Sequence, residues 1–144
     1  MQAKVVDHNN SLDEILTLLK SSKLPFRDIK LENNLFVSYQ NEQGKIIGSG
    51  GLEFYSTYAL LRSVAVDEHC RGNAFGKEIV NDLLRRAREK SIKEIYLLTE
   101  TAHDFFLQRG FSDISREKVP AEIKASSEFD SVCPASAICM VYRF

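Results

Sequence analysis

The sequence contains few cysteines, no marked excess of either charge and no long hydrophobic run. Its three cysteines, Cys70, Cys133 and Cys139, are too few for a disulfide framework and lack the close Cys-x-x-Cys pairing of strong soft-metal sites. Lys and Arg number 19 and Asp and Glu 20, and the resulting net charge of −1 indicates no general attraction to nucleic acid or anionic membranes. No apolar run approaches the roughly 20 residues that cross a bilayer, and the first eight residues lack the apolar core of a signal peptide. We therefore expect a cytoplasmic protein without a membrane, nucleic-acid or metal partner.

The overall composition is that of a folded domain. The 144 residues are 44% hydrophobic and 27% charged, which excludes a disordered chain. Proline and glycine are sparse, and neither an internal repeat nor a low-complexity segment interrupts the sequence. A single domain over residues 1–144 is the expectation that follows.

The hydrophobic periodicity predicts alternating helices and strands. Ser11 and Glu14 form a capping-box pattern before apolar residues at helical spacing, which predicts a helix over residues 11–20. We expect a short helical turn at 26–29 and, over 116–133, a loop with at most one helical turn. Next come three predicted antiparallel strands over 34–40, 45–54 and 58–66, followed by a long helix over 74–90. A strand over 94–98, a helix over 102–109 and two further strands over 111–115 and 135–144 complete the order. This order predicts an α/β fold.

The turn between the third of these antiparallel strands and the long helix carries the strongest functional signal. The strand ends at Val66, and a turn of small residues leads directly into the helix. Such a turn directs backbone N–H groups into one concavity at the positive end of the helix dipole, where phosphate oxygens bind. Gly72 and Gly76 allow close backbone approach, and Arg71 and Lys77 add positive charge. The alternative is a tight turn whose glycines serve packing only.

Two segments resemble the GCN5-related N-acetyltransferase (GNAT) family. The turn reads Arg71-Gly72-Asn73-Ala74-Phe75-Gly76 after the strand residues Val64-Ala65-Val66, and a later helix reads Ala102-His103-Asp104-Phe105-Phe106-Leu107-Gln108-Arg109-Gly110-Phe111. Both have the order and spacing of that family's cofactor motif and following helix, with Ala74 where Gly is usual. The resemblance implies the GNAT fold, which is a mixed, mostly antiparallel sheet of six to seven strands with splayed central strands and about four flanking helices.

The resemblance also implies acetyl-CoA as the cosubstrate and assigns residues to it. The strand before the turn would pair with the pantetheine arm, the amides of the turn would hold the pyrophosphate, and the later strand and helix would line the thioester end. The residues assigned in this way are Val64, Ala65, Val66, Arg71, Gly72, Asn73, Ala74, Phe75, Gly76, Lys77, Thr99, Phe105 and Phe106. Neither a metal nor a covalent enzyme intermediate is implied, because the acceptor amine attacks the thioester directly.

Such a reaction needs a base, because a Lys-like amine with a pKa near 10.4 is only about 0.1% neutral at pH 7. Our candidate for this base is Glu53, on the strand before the cofactor strand, where carboxylates often serve the family. The alternative is a solvated strand glutamate. A backbone N–H at the end of the cofactor strand is the candidate donor to the carbonyl oxygen.

The acid that would protonate the departing thiolate is less evident. Phe106 occupies the position of the family's usual Tyr and cannot donate a proton, and Thr99 stands where Asn is common. Three hypotheses remain open. Another group supplies the proton, the candidates being Tyr96, Tyr142, Ser63 and Cys133. The thiolate, with a pKa near 8.5, leaves without a protein acid, which we favour. Alternatively, the protein is a non-catalytic acyl-CoA-binding or sensor module.

The acceptor is predicted to be the amine of a small molecule. The segments at 60–63 and 133–137 resemble the arsenic-resistance N-acetyltransferase branch, whose members are associated with amino-acid-like arsenicals. Arg62, with Ser63 beside it, would then bind an anionic group of the acceptor. The alternative places Arg62 on the sheet face with its guanidinium in water.

The sequence leaves the oligomeric state open between a monomer and a homodimer. The final strand carries Ile138, Met140 and Tyr142 on one apolar face, and as an edge strand it would pair with a second copy.

Overall fold

The computed structural model describes residues 1–7, 9–72 and 74–144, with the backbone alone for residues 9–11, 131 and 132. The strands are β1 Gln2–Val5, β2 Asn34–Gln40, β3 Ile46–Tyr55, β4 Tyr58–Val66, β5 Glu94–Thr99, β6 Ser112–Asp113 and β7 Ile138–Arg143. The α-helices are α1 Asn9–Ser21, α2 Phe75–Glu89, α3 His103–Leu107 and α4 Ala121–Lys124. Two 3₁₀ turns, Glu68–Cys70 and Arg116–Lys118, and a π-helical turn, Glu128–Val132, complete the elements. Within the described residues, no helix has the length and apolarity to span a membrane.

All strands join one sheet in the order β1-β2-β3-β4-β5-β7-β6. Every neighbouring pair is antiparallel except β4 and β5, which are parallel because α2 crosses between them. The predicted mixed, mostly antiparallel sheet is thereby confirmed, and the seven strands match the upper end of the expected range.

Glycines of β3 allow α2 to lie unusually close to one face of the sheet. A Cβ atom on Gly48 would lie 2.5 Å from the Cδ1 of Ile79, and one on Gly50 would lie 2.4 Å from the Cδ1 of Leu83. Ile79 and Leu83 are completely buried in the main core, which also contains residues of β2, β4 and β5. The glycine-rich strand therefore fixes the position of α2, and with it the turn that precedes α2.

Two smaller cores cover the opposite face. Ile15 and Leu19 of α1 pack with Phe36 and are fully buried. Farther along the sheet, Ile123 of α4 packs with Leu60 of β4, and both are likewise fully buried. Because both faces are covered, the central strands are apolar along most of their length.

The central strands β4 and β5 diverge soon after they meet. Their pairing is confined to residues 58–60 and 94–96, although β4 continues to Val66 and β5 to Thr99. The register of β3 against β4 also shifts between Ser49 and Gly51, because Gly51 pairs with Arg62 while Ser49 pairs with Ala65. One extra residue is thus inserted in β4, which is a β-bulge. The predicted splayed central strands are confirmed.

Three local predictions differ from the structure. Helix α1 begins at Asn9, before the Ser11 predicted to cap it, and residues 26–29 hold a simple turn at 27–28 in place of a helical turn. The segment 116–133 contains α4 and two other short helical turns where at most one turn was expected. These pieces are too short to show a helical period, and tertiary burial of Ile123 stabilises them.

The prediction that the last strand forms a free apolar edge is wrong. β7 lies between β5 and β6, with Val141 opposite Ser112 and Met140 opposite Asp113. Met140 is completely buried. Over this part of β7, the backbone N–H and C=O groups pair with β5 and β6, so they are not available to a second copy of the chain.

Candidate functional site

A cleft of about 1070 Å³ opens where β4 and β5 diverge. It follows β4 from Arg62 to Val66, and its walls also come from the segments 22–26, 97–102 and 133–137. All but one of the residues predicted for cofactor or acceptor line it: Arg62, Ser63, Val64, Ala65, Val66, Arg71, Gly72, Ala74, Phe75, Gly76, Lys77, Thr99, Phe105 and Phe106. The exception, Asn73, lies outside the described residues. The fold thus brings together side chains from β4, β5, α2 and α3.

The turn before α2 has the backbone conformation of an anion site. Gly72 has φ +86° and Ala74 has φ +61°, which are both in the left-handed region. Among the described residues, the N-cap residue Ala74 makes no side-chain cap to α2, and the helix's first intrahelical bond runs from Glu78 N–H to the Ala74 carbonyl. The N–H groups ahead of that bond are therefore available to a ligand.

Contacts around this turn explain its other residues. A Cβ on Gly76 would lie 3.3 Å from the Phe105 ring, so only glycine leaves that ring undisturbed. Arg71 Nε donates to the Val66 carbonyl at 3.2 Å, which ties the turn to the end of β4. The Arg109 guanidinium lies 4.7 Å above the centre of the Phe105 ring and also faces the cleft. With Arg71 and the exposed Lys77, three cations surround this part of the cleft.

The bulge in β4 places Ser63 at the point of divergence. Ser63 has φ +60°, and its carbonyl accepts a hydrogen bond of 2.7 Å from the buried Ser49 hydroxyl. Beyond the bulge, the edge of β4 that faces β5 makes no ladder with it. An extended ligand can therefore use this edge like an added strand.

The opposite wall supplies β5 and α3. The Thr99 hydroxyl accepts a hydrogen bond from Ala102 N–H at 3.0 Å and so shapes the start of α3. Phe106 is buried and packs edge-on against Phe105 and Phe111, at centroid distances of 5.1 and 5.4 Å. The wall is therefore apolar around Phe106, the residue at the position where the GNAT family usually has Tyr.

A buried ionic cluster borders the Arg62 part of the cleft. Arg62 donates through its two terminal nitrogens to the Asp28 oxygens, at 2.6 and 2.7 Å. One of these nitrogens also reaches Glu53 at 3.0 Å, and Arg62 Nε lies 3.5 Å from Glu128. The cluster thus holds one cation among three carboxyl groups. Its Arg62 side chain is fully buried, and the side chains of Glu53 and Glu128 are each 5% exposed.

The members of this cluster have different protonation behaviour. Burial opposes the charge of Asp28, but hydrogen bonds from Arg62 and Ser127 outweigh it and keep the Asp28 pKa below its ordinary value. Burial raises the pKa of Glu128 to about 7; the charge of Arg62 opposes this rise, and the charges of Glu53 and Asp28 add to it. Glu128 is therefore a carboxyl group that exchanges its proton near neutral pH.

The sequence model of the Acetyltransferase (GNAT) family matches residues 9–111, which include the turn, both diverging strands and α3. The chain belongs to this family. The arsenic-resistance branch within the GNAT family is not distinguished by this match.

One relative of known name is an amino-acid acetyltransferase. The amino-acid acetyltransferase of Mycobacterium tuberculosis is 35% identical over 118 residues, which are 73% of this chain and 64% of that protein. The chain thus spans less than two thirds of that relative's length.

Solved structures share the GNAT fold at low sequence identity. Tetrahymena GCN5 superposes with a TM-score of 0.81 at 14% identity, over 99% of this chain and 96% of that one. The N-acetylglutamate synthase of Neisseria gonorrhoeae, complexed with coenzyme A and N-acetyl-glutamate, has a TM-score of 0.79 at 15% identity, over 99% of this chain and 35% of that one.

In this GNAT chain the predicted base Glu53 lies within the ionic cluster, and its role stays a prediction. Its carboxylate accepts a 2.7 Å hydrogen bond from the Tyr55 hydroxyl and one from Arg62, and it is not among the cleft-lining residues. Glu128 does line the cleft. Sequence reasoning missed Glu128 because it lies in the segment 116–133, where neither a motif nor a clear period marks it.

Arg62 differs from both sequence interpretations. It does not point to water, because its side chain is fully buried. An acceptor anion could contact its terminal nitrogens only by displacing a partner, since they already donate to the carboxylates of Asp28 and Glu53 and to the Pro25 carbonyl. Within the cluster, Arg62 holds the 25–28 loop and Glu128 against β4.

The structure also separates the four candidate acids. Tyr96 and Tyr142 do not line the cleft, whereas Ser63 and Cys133 do. Burial and the nearby Glu128 charge raise the pKa of the Cys133 thiol to about 12, which makes it a poor proton donor and a poor nucleophile. Among the described residues, no group of three or more His, Cys, Asp or Glu side chains is arranged to hold a metal ion.

Proposed function

We propose that this chain transfers the acetyl group of acetyl-CoA to the amine of a small molecule by direct attack. The observation that carries this proposal is one continuous cleft that joins an uncapped helix N-terminus, the open edge of β4 and a buried carboxyl group with a pKa near neutrality. Family membership and relatives complexed with coenzyme A support it.

The chain's residues suit the parts of acetyl-CoA in order. The amides of the turn at 71–77 bind the pyrophosphate, with Arg71 and Lys77 adding charge. The backbone of Val64, Ala65 and Val66 pairs with the pantetheine arm. Thr99, Phe105 and Phe106 then enclose the thioester. The close approach at Gly76 fits a ligand in this place. So does the buried Ser63 hydroxyl, which has no hydrogen-bond partner in the described part of the chain.

Glu128 is the proposed general base. Acetyl-CoA supplies the electrophilic thioester carbonyl, and the acceptor must lose a proton before it can attack. A carboxylate with a pKa of about 7 accepts that proton at neutral pH, directly or through water. The departing thiolate leaves without a protein acid, because Phe106 has no proton to give and a thiolate with a pKa near 8.5 is a tolerable leaving group.

A thiol-release assay with acetyl-CoA and a panel of amines and amino acids tests the proposal. We expect turnover with at least one small amine, together with acetyl-CoA binding by calorimetry. Tight binding without thiol release across the panel would favour the second candidate, the non-catalytic acyl-CoA-binding module, which the Tyr-to-Phe difference at Phe106 supports. Absence of binding would refute both.

The finer acceptor proposal is an amino-acid-like compound, such as an arsenical. The relative named an amino-acid acetyltransferase supports an amino acid. The resemblance at 60–63 and 133–137 supports the arsenical, and Arg62, Ser63, Cys133, Pro134 and Ala137 from these segments line the cleft. Adding an arsenical amino acid and its phosphorus analogue to the panel tests this choice. A preference for amines that lack any acidic group would contradict it.

A further inference from the structure

Ser63 carries a buried hydroxyl group that the protein itself does not use. The residue is 5% exposed, and its Oγ has no hydrogen-bond partner among the described residues. Burying a hydroxyl without a partner is unfavourable, so such groups are rare unless a ligand or water satisfies them. Ser63 is also among the residues that line the cleft.

The backbone of Ser63 is strained as well. Its φ of +60° is uncommon outside glycine, because the Cβ atom of other residues crowds the backbone there. The hydrogen bond from Ser49 to the Ser63 carbonyl maintains the bulge, but it does not involve the Ser63 side chain. A glycine would adopt the same backbone without strain. The packing of the fold therefore gives no reason for a serine at this position.

The place of Ser63 along β4 indicates what its hydroxyl contacts. Arg62, on one side, belongs to the ionic cluster with the proposed base Glu128. Val64, on the other side, begins the edge proposed for the pantetheine arm. Along β4, Ser63 thus follows the residue that contacts the proposed base and precedes the edge proposed for the cofactor arm, so the thioester would lie close to it.

We propose that Ser63 Oγ donates a hydrogen bond to the carbonyl oxygen of the bound acyl group. This inference rests on the proposed acetyltransferase function. As the acceptor nitrogen bonds to the carbonyl carbon, the π electrons move to that oxygen, and a donor there stabilises the growing charge. When the oxygen lone pair reforms the carbonyl, the C–S bond breaks and the thiolate takes the electron pair. Ser63 keeps its proton throughout.

Other nearby side chains are less suited to this role. Phe106 has no polar hydrogen, and the Thr99 hydroxyl is oriented by the hydrogen bond that it accepts from Ala102 N–H at the start of α3. The Cys133 thiol is a weak hydrogen-bond donor. A serine hydroxyl is far less acidic than a thiol, so Ser63 acts as a donor to the carbonyl oxygen and does not replace the missing tyrosine as a proton source.

Two cofactor analogues test the contact without turnover. Acetyl-dethia-CoA keeps the acyl carbonyl but has a methylene in place of sulfur, whereas ethyl-CoA has no acyl carbonyl. In Ser63→Gly we expect the affinity for acetyl-dethia-CoA to fall about five- to tenfold, as for one lost hydrogen bond, and the affinity for ethyl-CoA to stay unchanged. The kcat should fall about 100-fold with the KM for the amine unchanged.

Matched variants control for structural effects. Ser63→Ala should lose the carbonyl contact equally but, being strained, should be less stable than Ser63→Gly. Ser38→Ala removes a buried β2 hydroxyl that donates to the Lys4 carbonyl away from the cleft, and should change neither affinity. The inference would be overturned if Ser63→Gly lost affinity equally for both analogues, or lost none, while the wild type binds the analogues and releases thiol from acetyl-CoA. A wild type that binds neither analogue and releases no thiol would instead refute the proposed function.

Discussion

Arg62 and Asp28 form a bidentate ion pair, with nitrogen–oxygen distances of 2.6 and 2.7 Å, beneath the acceptor part of the cleft. This pair joins β4 to the loop before β2, and Ser127 donates a further hydrogen bond to Asp28. Two walls of the cleft that lie far apart in sequence are therefore held by one arginine and one aspartate. The position of Glu128 depends on the same arginine.

Replacing Arg62 with Met should destabilise the protein strongly. The change leaves Asp28, Glu53 and Glu128 close together without a cation, and breaking a buried pair typically costs about 3–5 kcal/mol. Urea denaturation measures the loss. The matched control is Arg143→Met, which removes an exposed strand arginine paired with Glu94 at 2.7 Å and should cost less than about 1 kcal/mol. Similar losses in both variants would show that the cluster does not stabilise the fold as described.

Substituting Glu128 with Gln should remove a step from the pH–rate profile. With an acceptor amine whose pKa is near 10, wild-type kcat/KM should rise through about pH 7 as Glu128 ionises. Glu128→Gln should lose that step and at least about 100-fold in rate, because base catalysis typically contributes 10²–10⁴-fold. Glu53→Gln is the matched control and should keep the step. If the step disappears in Glu53→Gln and persists in Glu128→Gln, the base is assigned to the wrong carboxylate.

The pKa of Glu128 should also make stability depend on pH. Because its pKa is raised from 4.5 to about 7, the folded protein binds more protons than the unfolded chain between these values. The stabilising contribution of protonated Glu128 is complete below pH 4.5 and is lost as the pH rises through about 7. Thermal unfolding should show Tm falling by several degrees over this window, and Glu128→Gln should flatten that fall. Asp28, whose pKa is lowered, affects stability only at more acidic pH. An equally steep fall in the variant would count against Glu128 as its source.

Two substitutions in the turn before α2 should shift stability in opposite directions. Ala74→Gly relieves a left-handed alanine and should raise the free energy of unfolding by about 0.5–1 kcal/mol while leaving acetyl-CoA affinity intact. Gly72→Ala places a Cβ where no atom lies within 4 Å, so strain at φ +86° is the main effect and should cost about 1–2 kcal/mol. Urea denaturation and calorimetry with acetyl-CoA measure both. Shifts of the same sign would mean that the turn does not have this conformation.

The sequence by itself determined the features that depend on neighbouring residues. The strand, turn and helix around Arg71 and Gly76 form one continuous segment, and the residues of α3 are also continuous, so spacing alone predicted their order and conformation. The sheet, its mixed character and its splayed centre followed from the same local patterns and from the family resemblance. The segment 116–133 could not be predicted in this way, because its helical turns are too short to show a period.

Only the tertiary structure decided which charged and polar groups reach the cleft. Glu53 and Glu128 are both glutamates beside Arg62, but their surroundings differ. The Glu53 carboxylate accepts hydrogen bonds from Tyr55 and Arg62. Glu128 lines the cleft, and its burial raises its pKa. The bulge that directs Ser63 arises from the register of β3 against β4, which pairs residues that are not neighbours in the chain. The burial of a side chain and the register of a strand both depend on contacts between segments that are distant in the sequence. The pKa of Glu128 and the position of Ser63 could therefore be determined only from the folded structure.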